Sequence, residues 1–440
     1  MSDREEINVG LMGLGVVGGG VAIALLEQSE EIARKVGQPV KLKSILVRDG
    51  SKSRDPRIPA ELVTTNPEDI LSDPAINIVA EVIGGTDPAA GFLKDALSGG
   101  KHVVTANKEV VAKFGPELFS LAQQNRVNLL FEASVCGGIP IVGCLMNQLL
   151  ANEIHSIRGI INGTTNYILT QMAHHHTPFQ QALDEAQKQG YAEADPTNDV
   201  EGIDAVYKLA ILASLAFHSR FAPEDVFRQG ISSLEPRDFQ YAEELGYAIK
   251  PLAIATLSDG TVQARVHPAL VPLDHMLAKV DGIYNAIEVE GSLCGHVLFH
   301  GMGAGREPTT SAVVGDLIEL ARNLASKTGM PAPASLGPGA DGAYNRQLRV
   351  GSTDDLTSKY YLRLDVADRP GVLAQIASIL GDGGISLASV LQKDTDAEQQ
   401  TAEIVITTHP AREASVQESL AKVARLEVVR EVKNLLRIEE

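Results

Sequence analysis

An acid and a lysine lie four residues apart in the middle of the chain, where the sequence becomes strongly apolar. Asp204 and Lys208 share one face of a predicted helix that Thr197 or Asn198 caps. Most residues from 205 to 216 are apolar, so the helix is predicted to be buried on most sides. Lys208 then either forms a structural ion pair with Asp204 or presents a desolvated ammonium group in a cleft, where it can transfer a proton.

A glycine-rich turn near the N-terminus offers a second kind of chemistry. A short apolar strand over 7–12 leads into a GxGxxG pattern and then a helix over 21–26. The first glycine permits a tight turn, the second lets the backbone approach a pyrophosphate, and the third lets the helix pack on the strand. The pattern predicts a dinucleotide site, with a structural glycine-rich turn as the alternative. The three glycines are Gly13, Gly15 and Gly18.

Strands and helices alternate through the rest of this segment. Strands are predicted over 40–47, 76–83, 102–105 and 127–132, with a helix over 88–97. This βαβ rhythm predicts a doubly wound parallel sheet, which binds its ligands at the carboxyl ends of the strands. Arg48 ends the second strand and suits the 2′-phosphate of NADP, although the adjacent Asp49 suits NAD. NADP(H) is therefore the preferred cofactor and NAD(H) the alternative.

Two charged side chains follow strand ends in the same sheet. Lys108 comes after the strand over 102–105, where it would lie near a nicotinamide or a substrate; a surface lysine is the alternative. Glu132 precedes the small-residue loop ASVCGGIP, and with backbone carbonyls it could bind a hard monovalent or divalent cation. The consecutive His174, His175 and His176 point in different directions and do not predict a metal site.

Past Pro140 the pattern changes. Helices over 141–150 and 178–189 flank a strand over 154–161 and a polar turn at 162–165, which starts with Asn162 and is predicted to cap the next helix. Shorter alternating strands follow residue 216, as in an antiparallel sheet. The turn GMGAGREPT (301–309) precedes a helix and could face a phosphate or nicotinamide, with a plain turn as the alternative.

Residues 331–353, rich in glycine and proline, have the composition of a linker. The segment beyond them reads as strand, helix, two strands, helix and strand, a ferredoxin-like βαββαβ unit.

Composition excludes several classes of protein. With 38 basic and 56 acidic residues, the net charge of −18 argues against nucleic acid or an anionic membrane as a partner. The three cysteines form no CxxC motif, and neither a signal peptide nor a membrane-spanning apolar run is recognisable. A soluble protein of the reducing cytoplasm is expected.

Four segments together resemble the homoserine dehydrogenase family, over essentially the whole chain. GLGVVGGG (13–20) is similar to its dinucleotide loop, TANK (105–108) to a strand end, and GYAEADPTNDVEGIDAVYK (190–208) to its long, specific substrate signature. DRPGVLAQIASIL (368–380) resembles the amino-acid-sensing ACT unit of many bacterial members. The implied fold is α/β: an N-terminal Rossmann-type doubly wound sheet, a central α+β catalytic and dimerisation domain, and a C-terminal ferredoxin-like ACT domain.

The resemblance also implies roles for individual residues. Lys208 matches the family's proposed proton donor, Glu193 and Asp204 match residues that hold the substrate, and Lys108 matches a lysine that contacts cofactor and substrate. The glycine pattern and the resemblance together give the cofactor contacts as Gly13, Leu14, Gly15, Val16, Val17, Gly18, Arg48, Thr86, Lys108, Gly303 and Gly305. The implied sodium ligands are the Glu132 carboxylate and the backbone carbonyls of Val135, Gly137 and Ile139.

The implied reaction is the reversible NAD(P)H-dependent reduction of L-aspartate 4-semialdehyde to L-homoserine, in threonine, methionine and isoleucine biosynthesis. Hydride transfer to the aldehyde develops negative charge on its oxygen, and no metal-ligand cluster is recognisable in the sequence to polarise it. A partly desolvated Lys208 can donate the proton, and Glu193 is a natural counter-charge for the substrate ammonium, with Asp204 assisting.

The expected domains are 1–140 for the dinucleotide, 141–330 for substrate and dimerisation, a linker over 331–355, and the ACT domain over 356–440. A homodimer through the central sheet or a homotetramer through ACT pairing is expected, with threonine as the effector near Gly371. One rival is another Rossmann oxidoreductase of the amino-acid pathways, which the AEADP-to-VYK signature disfavours. The other is a non-catalytic redox and amino-acid sensor, which would not need Glu193, Asp204 and Lys208 together.

Overall fold

The computed structural model describes residues 6–326, 348–393, 395–396 and 400–439. The chain divides into two compact units. The first comprises residues 1–157, 207–225 and 287–348, and the second comprises residues 158–206, 226–286 and 349–440. No helix within the described ranges is long and apolar enough to cross a membrane.

A parallel sheet of six strands forms the centre of the first unit, in the order β3-β2-β1-β4-β5-β6. This is the doubly wound order, which confirms the predicted Rossmann-type fold. The strands are β1 Ile7–Met12, β2 Val40–Leu46, β3 Val63–Thr64, β4 Ile78–Glu81, β5 His102–Thr105 and β6 Leu129–Leu130. The helices are α1 Val16–Glu27, α2 Ser29–Val36, α3 Glu68–Leu71, α4 Ala89–Ser98, α5 Lys108–Gln124 and α6 Ile141–Gly143.

The helix after the glycine loop starts earlier than predicted. Instead of beginning at residue 21, α1 begins at Val16 and contains the glycines at 18–20. Glycine costs about 1 kcal/mol per residue in a helix, but here it allows close packing. A Cβ on Gly18 would lie 2.2 Å from the carbonyl oxygen of Gly13. The close approach of the Gly13 carbonyl requires a glycine at 18 inside α1. The low helix propensity of glycine therefore does not mark the start of this helix.

Two other predicted elements are shorter in the structure. The strand expected over 127–132 is only β6, and Glu132 begins a turn of 3-10 helix, Glu132–Ser134. The helix expected over 141–150 is α6 followed by a π-helical turn, Cys144–Gln148. The Glu132 carboxylate accepts hydrogen bonds from the N–H groups of Val142 and Gly143, so the turn that replaces the strand end is joined to the start of α6.

The middle of the chain supplies most of the second unit, and the chain passes between the units within β7, α10 and β11. The strands are β7 Ile154–Ile160, β8 Phe227–Arg228, β9 Tyr247–Ser258, β10 Thr261–Pro272, β11 Tyr284–Gly291 and β12 Gly295–Met302. The helices are α7 Gly163–His175, α8 Phe179–Lys188, α9 Thr197–Val200, α10 Ile203–Ala216, α11 Pro236–Glu244 and α12 Arg306–Ser326. Of these elements, β12, α12 and the part of α10 from Tyr207 onward belong to the first unit.

The single helix predicted from residue 197 onward is wrong, because the segment forms two helices, α9 and α10. Gly202 separates them with a φ of +77°, a conformation that ends a helix and that glycine adopts without strain. Thr197 is the first residue of α9 and does not cap the long helix. Asp204 is consequently the acid in the first turn of α10, one turn before Lys208.

The C-terminal segment has the predicted βαββαβ arrangement. Its elements are β13 Arg349–Val350, β14 Thr357–Ala367, α13 Val372–Asp382, β15 Leu387–Leu391, β16 Thr395–Asp396, β17 Thr401–Thr408, β18 Ala411–Arg412, α14 Glu413–Val423 and β19 Val429–Ile438.

Within the second unit the strand order is β9-β10-β19-β14-β17-β15. The last strand is longer than the predicted 426–432 because it pairs antiparallel with β14 along its length and parallel with β10 at its end. Most of the predicted linker lies outside the described residues. The predicted domain boundaries stay a prediction.

Candidate active site

The glycine turn and the end of β2 border a cavity of about 990 Å³ in the first unit. Arg48 lines it beside Lys52 and Arg54, and Arg306 at the start of α12 lines it as well. Basic side chains that line such a cavity suit a phosphate, although Asp49, Asp55 and Asp87 line it as well. The predicted contacts that line this cavity are Gly13, Leu14, Gly15, Val16 and Arg48.

Asp49, which would favour NAD over NADP, forms hydrogen bonds within its own turn. Its carboxylate accepts hydrogen bonds from the Ser51 N–H at 2.8 Å and the Ser51 hydroxyl at 2.7 Å. These hydrogen bonds lower the pKa of Asp49. Arg54 donates to the backbone carbonyls of Asp49, Gly50 and Lys52, so the loop is cross-linked to itself.

Gly18 lies in α1 with no room for a side chain, whereas a Cβ on the neighbouring Gly19 would meet no atom within 4 Å. We expect Gly18→Ala to destabilise the cofactor-free protein by about 1–3 kcal/mol, because its methyl group would overlap backbone that cannot rotate away. Gly19→Ala is the matched control and should be neutral or stabilising by up to about 1 kcal/mol. Urea unfolding followed by circular dichroism measures both, and equal stabilities for the two variants would contradict the packing role.

A second cavity of the first unit, about 240 Å³, brings several predicted residues together. Lys108 at the start of α5 and Lys208 in α10 both line it, and Val17 and Gly303 line it too. Lys208 is only 8% exposed, so most of its side chain is shielded from water. Gly305 and Thr86 line neither cavity; Gly305 has a φ of +118° in the turn before α12, and Thr86 accepts the N–H of Ala90 at the start of α4.

A buried hydrogen-bond network supports the walls of this second cavity, and the sequence patterns did not reveal it. The fully buried Glu81 accepts the Thr105 hydroxyl at 2.6 Å and the N–H of Ile83 at 2.7 Å. Asn107 donates to the Gly85 carbonyl at 2.7 Å, so the strand ends of β4 and β5 are tied to the loop at 83–85. Desolvation raises the pKa of Glu81. The signal in the sequence was Glu81 itself, an acid in an otherwise apolar strand, which indicates a buried carboxylate with hydrogen-bond partners.

Glu132, the predicted carboxylate ligand of the cation, is held by backbone N–H groups. Its carboxylate accepts the N–H groups of Val142 at 2.9 Å and Gly143 at 2.6 Å, and its own N–H donates to Asp316 Oδ2 at 3.0 Å. Burial raises the pKa of both acids. Within the described ranges, no group of three or more His, Cys, Asp or Glu side chains is arranged to hold a metal ion.

Oxygen donors beside a desolvated carboxylate nevertheless fit a hard cation, which would offset the cost of burying the charge. The backbone around the other predicted ligands is buried: Val135 and Ile139 are core residues, and a Cβ on Gly137 would lie 2.9 Å from the Thr309 hydroxyl. The sodium site stays a prediction.

The second unit contains the other predicted substrate residues. Glu193 is exposed, and its backbone carbonyl accepts the Gln187 amide at 3.0 Å. Asp204 is 5% exposed, and its Oδ2 accepts the Asn162 amide at 2.8 Å. The predicted cap at 162 is confirmed, because the Asn162 side chain accepts the N–H of Thr165 at the start of α7.

A Rossmann-type sheet with a cavity at its glycine turn, two lysines in a second cavity and a βαββαβ C-terminal unit are the features of an NAD(P)-dependent oxidoreductase that carries an ACT-type segment. Family models match at residues 13–132 (homoserine dehydrogenase, NAD binding domain), 140–318 (homoserine dehydrogenase) and 360–428 (ACT domain). The chain belongs to the homoserine dehydrogenase family.

Relatives match along the full length of the chain. The homoserine dehydrogenase of Bacillus subtilis is 40% identical over 435 residues, 99% of each chain, and that of Synechocystis is 42% identical over 98% of this chain and 99% of its own. A crystal structure of a homoserine dehydrogenase from Thiobacillus denitrificans has a TM-score of 0.90 and 42% identity, covering 99% of this chain and 98% of its own. A hyperthermophilic archaeal homoserine dehydrogenase in complex with NADPH has a TM-score of 0.61 and 29% identity over 72% of this chain and 97% of its own.

Proposed function

We propose that the protein catalyses the reversible reduction of L-aspartate 4-semialdehyde to L-homoserine. The observation that carries the proposal is that Lys108 and the shielded Lys208 line one cavity together with Val17 and Gly303 of the predicted cofactor loops. A nicotinamide cofactor supplies the hydride when bound. The chain's own residues supply placement, a counter-charge and a proton.

Lys208 is the proposed proton donor. When the aldehyde carbon accepts a hydride, its oxygen becomes an alkoxide, and an ammonium group within hydrogen-bond reach both stabilises that charge and delivers the proton. Removing water from around the lysine strengthens the electrostatic interaction. In the oxidation direction the neutral amine of Lys208 takes the proton back from the homoserine hydroxyl.

Glu193 and Asp204 are the proposed anchors for the substrate ammonium, and Lys108 helps to place substrate and cofactor. Both anchors come from the 190–208 signature, and Asp204 precedes Lys208 by one turn of α10. Fixing the ammonium end holds the reacting carbon in place, which lowers the entropy cost of hydride transfer.

The loss of NADPH absorbance in the presence of aspartate semialdehyde tests the activity. Turnover supports the proposal over a non-catalytic sensor, and turnover only with a different semialdehyde supports another oxidoreductase of the amino-acid pathways. The expected product, homoserine, is identified by mass spectrometry.

For the cofactor we propose a preference for NADP(H) over NAD(H), because basic side chains line the cavity and Asp49 is engaged by Ser51. Arg48→Ala should raise the KM for NADPH about ten- to hundredfold, the worth of a hydrogen bond to a charged group, and leave the KM for NADH nearly unchanged. Arg34→Ala, which removes an exposed charge of α2, is the control. Equal changes in both KM values would contradict the assignment of Arg48 to the 2′-phosphate.

Feedback regulation by threonine is also part of the proposal. Threonine is the proposed effector and binds near Gly371, which has a φ of +87° immediately before α13. Inhibition requires that threonine bind two states of the enzyme with different affinities. Titration calorimetry with threonine, giving no heat together with unchanged activity, would remove this effector.

A sodium ion at Glu132 and assembly into a homodimer or homotetramer are also proposed. Activity titrated with Na⁺ in a choline background tests the ion, and analytical ultracentrifugation tests the assembly.

A further inference from the structure

The Asn162 carboxamide donates hydrogen bonds to two carboxylates. Its Nδ2 lies 2.7 Å from Asp199 Oδ1 and 2.8 Å from Asp204 Oδ2, which uses both amide hydrogens. Asn162 is 7% exposed, so water competes little for these hydrogen bonds. Distances this short are typical of charge-assisted hydrogen bonds, which are the strong ones.

The orientation of this amide is determined by its other partners. Asn162 Oδ1 accepts the N–H of Thr165 at 2.8 Å and the Thr165 hydroxyl at 3.0 Å. A flipped amide would place its oxygen against two carboxylates and its NH2 group against another N–H. The hydrogen-bond network therefore permits only one orientation, with the two donors facing the acids.

The backbone that carries Asn162 is also held in place. A Cβ on the next residue, Gly163, would lie 2.6 Å from the Ile283 carbonyl oxygen, so the turn packs directly on the loop before β11. One turn into α7, Asn166 donates to the carbonyls of Val280 and Tyr284, each at 3.1 Å. Asn162 thus projects from a fixed point.

A neutral donor is the appropriate group at this position. A lysine or arginine would hold Asp204 equally well, but it would cancel the negative charge that a substrate ammonium needs. A hydrogen bond from an amide fixes the rotamer of Asp204 and leaves the carboxylate charged.

We propose that Asn162 is a positioning residue, which fixes Asp204 for recognition of the substrate ammonium. This inference rests on the proposed function, because it takes Asp204 as a substrate anchor. Asn162 itself is assigned no contact with the substrate.

Asn162→Ser tests the inference without removing the helix cap, because serine is an equally good N-cap residue while its hydroxyl is too short to reach both acids. We expect kcat/KM for homoserine to fall about ten- to hundredfold, while the KM for NADP⁺ stays within error. The thermal midpoint should fall only by the cost of the two lost hydrogen bonds, with the protein still folded at the assay temperature. Thr165→Val, which removes only the hydroxyl on the other side of the amide, is the control and should change kcat/KM less than about threefold.

A double-mutant cycle with Asp204→Asn identifies the route of the effect. If Asn162 acts through Asp204, Asn162→Ser should cost less than about twofold in the Asp204→Asn background. A full loss in that background overturns the inference, as does a wild-type rate for Asn162→Ser or an equal rise in the KM for NADP⁺. If the wild type does not turn homoserine over, the proposed function fails instead, and the two failures are distinct.

Discussion

Replacing Lys208 with alanine is expected to lower kcat by about 10²–10⁴-fold, the range that a positioned proton donor contributes. The alkoxide formed by hydride transfer would lose both its hydrogen bond and its source of a proton. Binding of NADPH should change much less than kcat, because the phosphate contacts proposed at Gly13, Gly15 and Arg48 lie in the larger cavity, which Lys208 does not line. Single-turnover kinetics followed through NADPH absorbance measures the chemical step.

Lys208→Arg separates charge from proton transfer. Arginine keeps the positive charge, but its pKa is too high for it to give up a proton at neutral pH, so this variant should be impaired nearly as strongly as the alanine variant. A rate close to wild type for Lys208→Arg would show that only the charge is needed.

A second buried lysine of the same unit provides the structural control. Lys101, 5% exposed, donates to the backbone carbonyls of Asp73 at 2.5 Å and Ile76 at 3.0 Å. Lys101→Ala should lower the thermal midpoint but leave kcat per folded molecule nearly unchanged. Lys208→Ala should instead lower kcat and leave the thermal midpoint nearly unchanged. A wild-type kcat for Lys208→Ala would mean that another group supplies the proton.

The parts of the fold that follow from local patterns could be predicted from the sequence. The GxGxxG spacing predicted the turn between β1 and α1, and the strand predicted over 102–105 in the βαβ rhythm is β5 at its observed bounds. Spacing of four residues placed Asp204 and Lys208 one turn apart on α10. In each case the determining interactions are between neighbours in sequence.

The parts that depend on distant residues could not be predicted. Asn162 looked like a simple helix cap, and its bonds to Asp199 and Asp204 cross 37 and 42 residues of chain. Glu81 and Thr105 interact across 24 residues, and Glu132 meets Asp316 across 184. Periodicity carries no information about such pairs, so the supporting residues of the candidate site became visible only in the structure.

A buried ion-pair cluster in the second unit also joins residues that are far apart in sequence. Arg363 of β14 is 1% exposed and pairs with Asp238 of α11 through two hydrogen bonds, of 2.7 and 3.1 Å. Its Nη1 donates to Glu403 at 2.8 Å, and the Nη2 that binds Asp238 also donates to Glu235 at 2.8 Å. Asp238 is fully buried and also accepts the hydroxyl of Tyr361.

Arg363→Met should destabilise the second unit by about 3–5 kcal/mol, because it keeps much of the side-chain volume but leaves a buried carboxylate without its cation. Hydrogen exchange of amides in β14 should then accelerate about 10²–10³-fold where exchange requires unfolding of the unit. Mass spectrometry of peptides that cover 357–367 measures this, and urea unfolding gives the corresponding free energy.

The matched control is Arg412→Ala, which removes an arginine of the same segment whose pair is exposed. The side chains of Arg412 and Asp355 are 59% and 62% exposed, and surface pairs of this kind contribute about 0–1 kcal/mol. Similar exchange rates for the two variants would show that the buried Arg363 cluster stabilises the second unit no more than the exposed pair does. A large effect confined to Arg363→Met would show that the contact between β14 and α11 stabilises the attachment of the C-terminal segment to its unit, in addition to the pairing of β19 with β10.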